Sequence, residues 1–264
     1  MAHHNTMTYE TTLYDLSADI ATITINRADV RNGLNTLCRT ELLAAIKRAE
    51  NEARVIVLTG AGKGFCSGQD LSDIDDINTV DLETALRQEY EPLLKAIYDC
   101  KLPTIAAVNG AAAGAGANLA LACDVVIATA SAVFSQAFSR IGLIPDAGGT
   151  YWLPRQMGFP RAMGAALFAE PVTATQAAEW GMIWEAVADE EFTAHIAKRA
   201  HHLAMGPTAS YALLKQAMRQ SFDNTVDKQL ALEAKLQGIA GKSDDFREGV
   251  NAFLEKRDPK YKGR

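Results

Sequence analysis

An α/β layered core followed by a helical C-terminal region is the fold class this sequence predicts, and three observations carry that expectation. Short runs of β-branched and apolar residues alternate with longer segments of helical spacing through the first half of the chain. Three of those runs, VIVLTGAGKGF, TIAAVNGAAAGAG and DVVIATASAVF, lead directly into turns built from small residues. Beyond about residue 160 the strand signals give way to helical ones.

The elements follow in order. IATITIN (20–26) alternates at the two-residue period of a strand. TLCRTELLAAIKRAEN (36–51) sets Leu37, Leu42, Leu43, Ile46 and Ala49 at helical spacing. RVIVLTG (54–60) reads as a short buried strand ending in glycine. LETALRQEYEPLLKAIYDC (82–100) is helical, and Pro103 opens the strand TIAAVNG (104–110). GAGANLALAC (114–123) puts small residues in the first turn of a helix, and DVVIATA (124–130) returns to strand. Such alternation points to layered α/β packing. RAMGAALFAE, TATQAAEWGM, EFTAHIAKRAHHLA, TASYALLKQAMRQ and TVDKQLALEAKLQGIA then read as helices, with Thr or Glu near their starts. No change in composition marks a linker, and a helix-rich end of this kind suits packing against partner subunits.

The bulk composition narrows the function classes. The 264 residues suffice for one large domain, or for one domain with an appendage. The 26 basic and 32 acidic side chains leave a net charge of −6, which argues against a general nucleic-acid binder with its basic face. A local basic pocket for a phosphate-bearing ligand remains compatible with that charge. Cys38, Cys66, Cys100 and Cys123 lie far apart without a C-x-x-C pair, so neither a disulfide framework nor a zinc site is expected. His3 and His4 fall in a ragged start, His201 and His202 in a polar helix, and no ligand spacing links them; no metal is predicted. The opening MAHHNTM reads as tag-derived or as native disorder, and the first residues lack the apolar core of a signal peptide. No apolar run approaches a membrane span, so a reduced, cytoplasmic protein without a membrane partner is expected.

The glycine-rich turns do not suit nucleotides. TGAGKGF (59–65) lacks the glycine spacing and the Ser or Thr of a P-loop, and GAGANLA (114–120) lacks the third glycine of a dinucleotide fingerprint. Small residues at a helix start instead leave its unpaired amides, at the positive end of the dipole, open to an oxyanion. FCSGQDL (65–71) offers a further amide just after Gly68. Two such donors, if they converge, stabilise an enolate or a tetrahedral oxygen. One acid stands alone in SRIGLIPDAGGTYWLPR (139–155): Asp146, in a Pro-Asp-x-Gly arrangement that is also ordinary turn chemistry.

Three blocks, GFCSGQDL, IAAVNGAAAGAGANLALACDVVIA and FSRIGLIPDAGGTYWLPR, resemble the enoyl-CoA hydratase/isomerase, or crotonase, superfamily in content, order and separation. The likeness runs from about residue 8 to the C-terminus and includes AAEWGMIWEAV and REGVNAFLEKR. It implies a spiral of β-β-α repeats over residues 8–200 and a helical trimerisation region over 201–264, assembled as a homotrimer or a dimer of trimers. It also implies an acyl-CoA thioester as substrate, with CoA as part of that substrate and no separate cofactor. The thioester carbonyl would lie between the backbone amides of Gln69, after Ser67-Gly68, and Ala115, within Gly114-Ala115-Gly116. Hydratases usually carry three glycines there, so the Ala115 methyl narrows the expected pocket.

Two departures bear on the chemistry. The paired glutamates of hydratases would fall at Asn118 and Phe138, and neither side chain exchanges a proton near neutral pH. Both are expected to line the substrate pocket together with Gly68 and Gly114, as are Tyr151 and Trp152. Hydration needs one group to activate water and another to deliver a proton, so the usual hydratase mechanism is not expected. Asp146 falls where isomerase-type members carry their acid, and where relatives that hydrolyse an aryl–chlorine bond carry a nucleophilic aspartate. The paired GFCSGQDL and GLIPDAGGTYWLPR, with EWGMIW, look like the branch that converts ring-1,2-epoxyphenylacetyl-CoA to oxepin-CoA in phenylacetate degradation. An isomerase is therefore expected, rearranging that epoxide or shifting a β,γ double bond to α,β, with Asp146 as the single proton carrier. A hydratase with atypical acid–base residues and a non-catalytic acyl-CoA-binding subunit are the alternatives. Arg27, Lys63 and Lys256 are candidates for the CoA phosphates, each competing with a role as a solvated surface charge. Asp70 reads as a local cap, Asp124 as structural, and Cys66 lacks a histidine to activate it.

Overall fold

The computed structural model describes residues 9–73 and 79–264, so His3, His4 and the expected start at residue 8 lie outside the described residues. The chain opens with a hairpin of β1 (Thr12–Ser17) and β2 (Ile20–Ile25), followed by α1 (Thr36–Glu52). Next come β3 (Val55–Gly60), β4 (Gly64–Cys66) and α2 (Leu82–Ala85), which continues through a π-helical turn, Leu86–Tyr90, into α3 (Glu91–Asp99). A second unit holds β5 (Thr104–Val108), β6 (Ala111–Ala113) and α4 (Ala115–Leu121). A third holds β7 (Val125–Thr129), β8 (Val133–Ser135), a 3-10 turn at Ala137–Ile141, α5 (Gly149–Met157) and α6 (Phe159–Phe168). Then follow β9 (Val172–Thr173), α7 (Ala174–Glu179), β10 (Glu185–Val187) and α8 (Phe192–Ala204). The chain closes with α9 (Thr208–Gln220), α10 (Val226–Ala240) and α11 (Asp244–Glu255).

Two sheets result, one ordered β1-β2-β3-β5-β7-β10 and the other β4-β6-β8-β9. β3, β5 and β7 run parallel in the first, and β4, β6 and β8 run parallel in the second. Each unit thus lays one strand in either sheet before its helix, and stacking the units winds the β-β-α spiral. The corners between paired strands are tight. A Cβ on Gly110, between β5 and β6, would stand 2.1 Å from the Lys63 carbonyl oxygen, a distance that only glycine escapes.

The centre of the first sheet, β3 and β5, is buried on both faces. Ile56 and Leu58 of β3 join Ile23, Leu42, Ile46, Leu93 and Leu119 in one core, while Val55 and Val57 join Ile105, Ile127 and Phe192 in another. Successive side chains of a strand point to opposite faces, so a near-continuous apolar run serves both cores. α8 roofs the second core and continues to Ala204; the boundary expected after residue 200 therefore cuts this helix, whose Ala200 and Ala204 both pack on the sheet. Helices occupy the C-terminal region from there on. Arg54, just before β3, donates to Thr208 Oγ1 at 3.1 Å and to the carbonyl of Gly206, pinning the start of α9 to the core. α9 to α11 leave Met218, Phe222, Val226, Phe253 and Leu254 exposed. Among the described residues, no helix is long and apolar enough to cross a membrane.

Candidate active site

The segment after β4 meets the start of α4 at Gly68, and the turn that leads into α5 meets the same helix at Asn118. Leu34 pairs in parallel with Gln69, its N–H donating to the Gly68 carbonyl at 2.8 Å while its own carbonyl accepts from Asp70 N at 3.2 Å. A planar trans peptide sets C=O and N–H on opposite sides, so the Gln69 N–H points away from Leu34. Gly68 has φ +91°, and a Cβ there would come 2.8 Å from the Ala113 oxygen and 3.2 Å from Ala115 N. Glycine is what allows this segment to lie against the start of α4. The Gly114 carbonyl accepts from Asn118 N at 3.2 Å, so the Ala115 N–H projects outward from the first turn of α4. Neither the Gln69 nor the Ala115 N–H meets an acceptor among the described residues. The Phe138 ring borders Gly114, with Cζ 3.6 Å from where a Cβ would sit.

Sequence reasoning missed the group that fixes Gln69. Its side-chain Oε1 accepts from the Tyr90 hydroxyl at 2.6 Å and from Arg39 Nη1 at 3.0 Å. Arg39, 3% exposed, also donates through Nε to Glu89 Oε2 at 2.9 Å. Glu89 and Tyr90 are neighbours in the π-helical turn, a distortion common at functional sites. Burial pushes the Tyr90 hydroxyl far above its ordinary value, Arg39 offsets part of that, and the neighbouring Cys66 and Asp146 add to it. Tyr90 therefore stays protonated as a donor, and Asp146 lies within its electrostatic reach. The available signal was Arg39 itself, a lone cation on the core-facing side of an amphipathic helix.

Asp146 opens a tight turn in which its carbonyl accepts from Gly149 N at 2.8 Å. Ala147 at φ +47° and Gly148 at φ +81° give this turn the left-handed geometry of type I′. The ordinary turn chemistry and the lone carboxyl are thus both present in one residue. Asp146 Oδ1 is buried and has no hydrogen-bond partner, the only such carboxylate oxygen among the described residues. Burial pushes its pKa from 3.8 to about 6. Asn118, expected in the pocket lining, is fully buried, and its amide donates to the Asp146 carbonyl at 2.8 Å. Phe138 is 7% exposed beside Gly114. One turn of α4 therefore carries both the outward Ala115 N–H and the Asn118 side chain.

The remaining candidates are otherwise engaged, exposed or inert. Arg27 donates to Asp70 Oδ2 at 2.7 Å and to the Gly33 carbonyl, so its charge is already engaged. Asp70 also accepts from the Ser72 hydroxyl at 2.6 Å, and Ser72 foremost, with Arg27, holds its pKa below the usual carboxylate value. Lys63 is exposed in the turn between β3 and β4, and Lys256 is exposed at the end of α11. Asp124 is structural, accepting from Thr104 N at 2.9 Å and pairing with Lys215 and Arg219, each at 2.6 Å. Cys66 is fully buried with its thiol pushed up to about 12, which leaves it un-ionised and inert.

Similarity to known proteins bears on this geometry. Residues 15–264 match the family described as enoyl-CoA hydratase/isomerase. A Rhodobacter capsulatus protein named "Probable enoyl-CoA hydratase" is 61% identical over 258 residues, covering 98% of this chain and 100% of that one. The 1,2-epoxyphenylacetyl-CoA isomerase of Escherichia coli is 47% identical over 250 residues, covering 93% and 95%. The solved structure of an enoyl-CoA hydratase from Bacillus anthracis matches with a TM-score of 0.89 at 29% identity, over 97% of this chain and all of that one. With a spiral of the same shape and near-complete coverage of these relatives, the chain belongs to the enoyl-CoA hydratase/isomerase family, the crotonase superfamily of acyl-CoA enzymes.

Proposed function

We propose that this enzyme is an acyl-CoA isomerase in which Asp146 is the only proton carrier. The observation that carries the reading is the half-buried Asp146 carboxyl, its Oδ1 buried without a partner and its pKa raised to about 6, while the hydratase acid positions hold Asn118 and Phe138. Asp146 removes the α-proton of a CoA thioester, and the amides of Gln69 and Ala115 hold the enolate oxygen. The same carboxyl returns the proton at another carbon, so a single titrating group completes the isomerisation. With an epoxide fused to the ring, the released electron pair opens the epoxide and the ring expands, as from ring-1,2-epoxyphenylacetyl-CoA to oxepin-CoA. With a β,γ-unsaturated chain, the product is the conjugated α,β-enoyl-CoA. Losing one oxyanion donor raises such a barrier by about 3 kcal/mol. The name of the Escherichia coli relative supports the epoxide substrate. Lys63 and Lys256 are the free cations offered to the CoA phosphates, with Arg27 committed to Asp70. The exposed apolar residues of α9 to α11 support assembly as a homotrimer or a dimer of trimers, and four free buried thiols suit a cytoplasmic enzyme.

A second reading, a hydratase with an atypical acid–base arrangement, draws on the name of the Rhodobacter relative. The test is α-proton exchange from deuterated water into a CoA thioester, followed by mass spectrometry, beside crotonyl-CoA hydration. Exchange in the wild type and its loss in Asp146→Asn, with hydration slow, is the expected result. Hydration as fast as isomerisation establishes the hydratase instead. Thioester binding without any exchange marks a non-catalytic acyl-CoA-binding subunit.

A further inference from the structure

We infer that Asn118, itself held by Gln136, is a positioning residue that fixes the main chain of Asp146 so that its carboxylate meets the substrate from one direction. The inference rests on Asp146 being the base. The Asn118 amide donates to the Asp146 carbonyl at 2.8 Å, and Gln136 Nε2 donates to Asn118 Oδ1 at 2.9 Å. Both amide side chains are out of water, with Asn118 at 0% and Gln136 at 2% exposure. The orientation is forced, because a main-chain carbonyl only accepts; Asn118 must turn its NH2 toward Asp146 and its oxygen toward the Gln136 amide.

Two features show that the space is built around this link. A Cβ on Gly149 would fall 2.4 Å from Asn118 Nδ2, so the amide fills the place a side chain would take. The Asp146 carbonyl also accepts from Gly149 N at 2.8 Å, and the two donors together use both of its lone pairs. That anchoring matters because Oδ1 is without a partner and the carboxyl's hydrogen bond is to its own backbone, so the direction of the side chain is set by its own peptide. The peptide in turn leads into Ala147 at φ +47°, a conformation alanine does not hold without outside support. Asn118 lies three residues after Ala115 on α4, so one helical turn registers the base against one of the two free amides. An ionised carboxylate at this position has no hydrogen to offer the carbonyl. An amide is the side chain the turn requires.

The experiment measures kcat, KM and deuterium exchange on a CoA thioester across pH for Asn118→Ala, Asn118→Asp, Gln136→Met and Asp146→Asn, each checked by thermal melting. Asn118→Ala is expected to lower kcat about 100-fold, the cost of a misplaced reacting group, with KM changed less than about threefold. Gln136→Met is expected to lower kcat about tenfold in the same pattern, since it removes the support of Asn118 and not the donor. Asn118→Asp can donate only while its new carboxyl is protonated. Its kcat is therefore expected to fall again on the alkaline side, turning a rising profile into a bell. Tyr90 stays protonated over this range and does not add a limb. Loss of exchange in Asp146→Asn, with kcat unchanged in Gln136→Met and no alkaline limb in Asn118→Asp, overturns the positioning role alone, even if Asn118→Ala fails to fold. Exchange that survives in Asp146→Asn overturns the assignment of the base, and the positioning role with it.

Discussion

The Tyr90 hydroxyl donates to Gln69 Oε1 at 2.6 Å, tying the residue whose N–H faces away from Leu34 to the π-helical turn before α3. Removing that hydroxyl leaves Arg39 as the remaining donor to Oε1, at 3.0 Å. Tyr90→Phe is expected to lose about 0.5–1.5 kcal/mol of stability, one net hydrogen bond. Its kcat/KM is expected to fall by up to about tenfold, as Gln69 gains freedom at the proposed oxyanion position. Urea denaturation and steady-state kinetics read the two effects separately.

On the proposed mechanism, Asp146 is expected to couple activity to stability with opposite signs. Its folded pKa, about 6, lies above the unfolded value of 3.8, so the folded chain holds the proton longer. Stability is then fully present below about pH 4 and declines as pH rises through 6, where the buried carboxylate ionises. Asp146→Asn is expected to match the wild type near pH 4 and to exceed it by about 1–2 kcal/mol at pH 7.5, after discounting for the partly solvated carboxyl. Turnover of the wild type runs the other way, rising through pH 6 as the base form appears. Thermal melts at the two pH values, set beside a pH–rate profile, test both.

Ala147 holds a left-handed conformation at φ +47°, which costs an alanine about 1–2 kcal/mol. Ala147→Gly is expected to raise stability by about 0.5–1 kcal/mol, the relieved strain less the added freedom of the unfolded chain. Because the turn also loosens behind Asp146, the proposed base, kcat is expected to fall while stability rises. A gain in both would separate the strain from the chemistry.

Gly68→Ala puts a methyl 2.8 Å from the Ala113 oxygen at φ +91°. The expected costs are about 1–3 kcal/mol of stability from the strained backbone, and about 100-fold in kcat as the Gln69 amide is displaced. Retained turnover would detach that amide from the enolate oxygen.

The long elements were legible because enough side chains repeat in them. The IATITIN alternation became β2 and the VIVL run became β3, while the Leu42, Ile46 and Ala49 spacing became α1. The second sheet was not legible. β4, β6 and β8 have three residues each, too few to display a period, and tight corners such as Gly110 define them. At the site, sequence blocks brought Gly68, Gln69, Gly114, Ala115 and Asp146 forward because small residues and a lone acid stand out along the chain. The supports did not stand out. Gln136, Asn118, Arg39 and Tyr90 act across 18 to 51 positions of sequence, through contacts made only once the spiral has closed. Asn118 was read by what it lacks, a carboxyl, whereas folding uses what it has, an amide.

β3 holds Val55 and Val57 against one core and Ile56 and Leu58 against the other. A residue exchanged within it disturbs one side of the wall, but a residue inserted would hand every tenant behind it to the opposite room. This strand therefore tolerates apolar exchanges of similar volume, while its length is fixed by β2 and β5 at once.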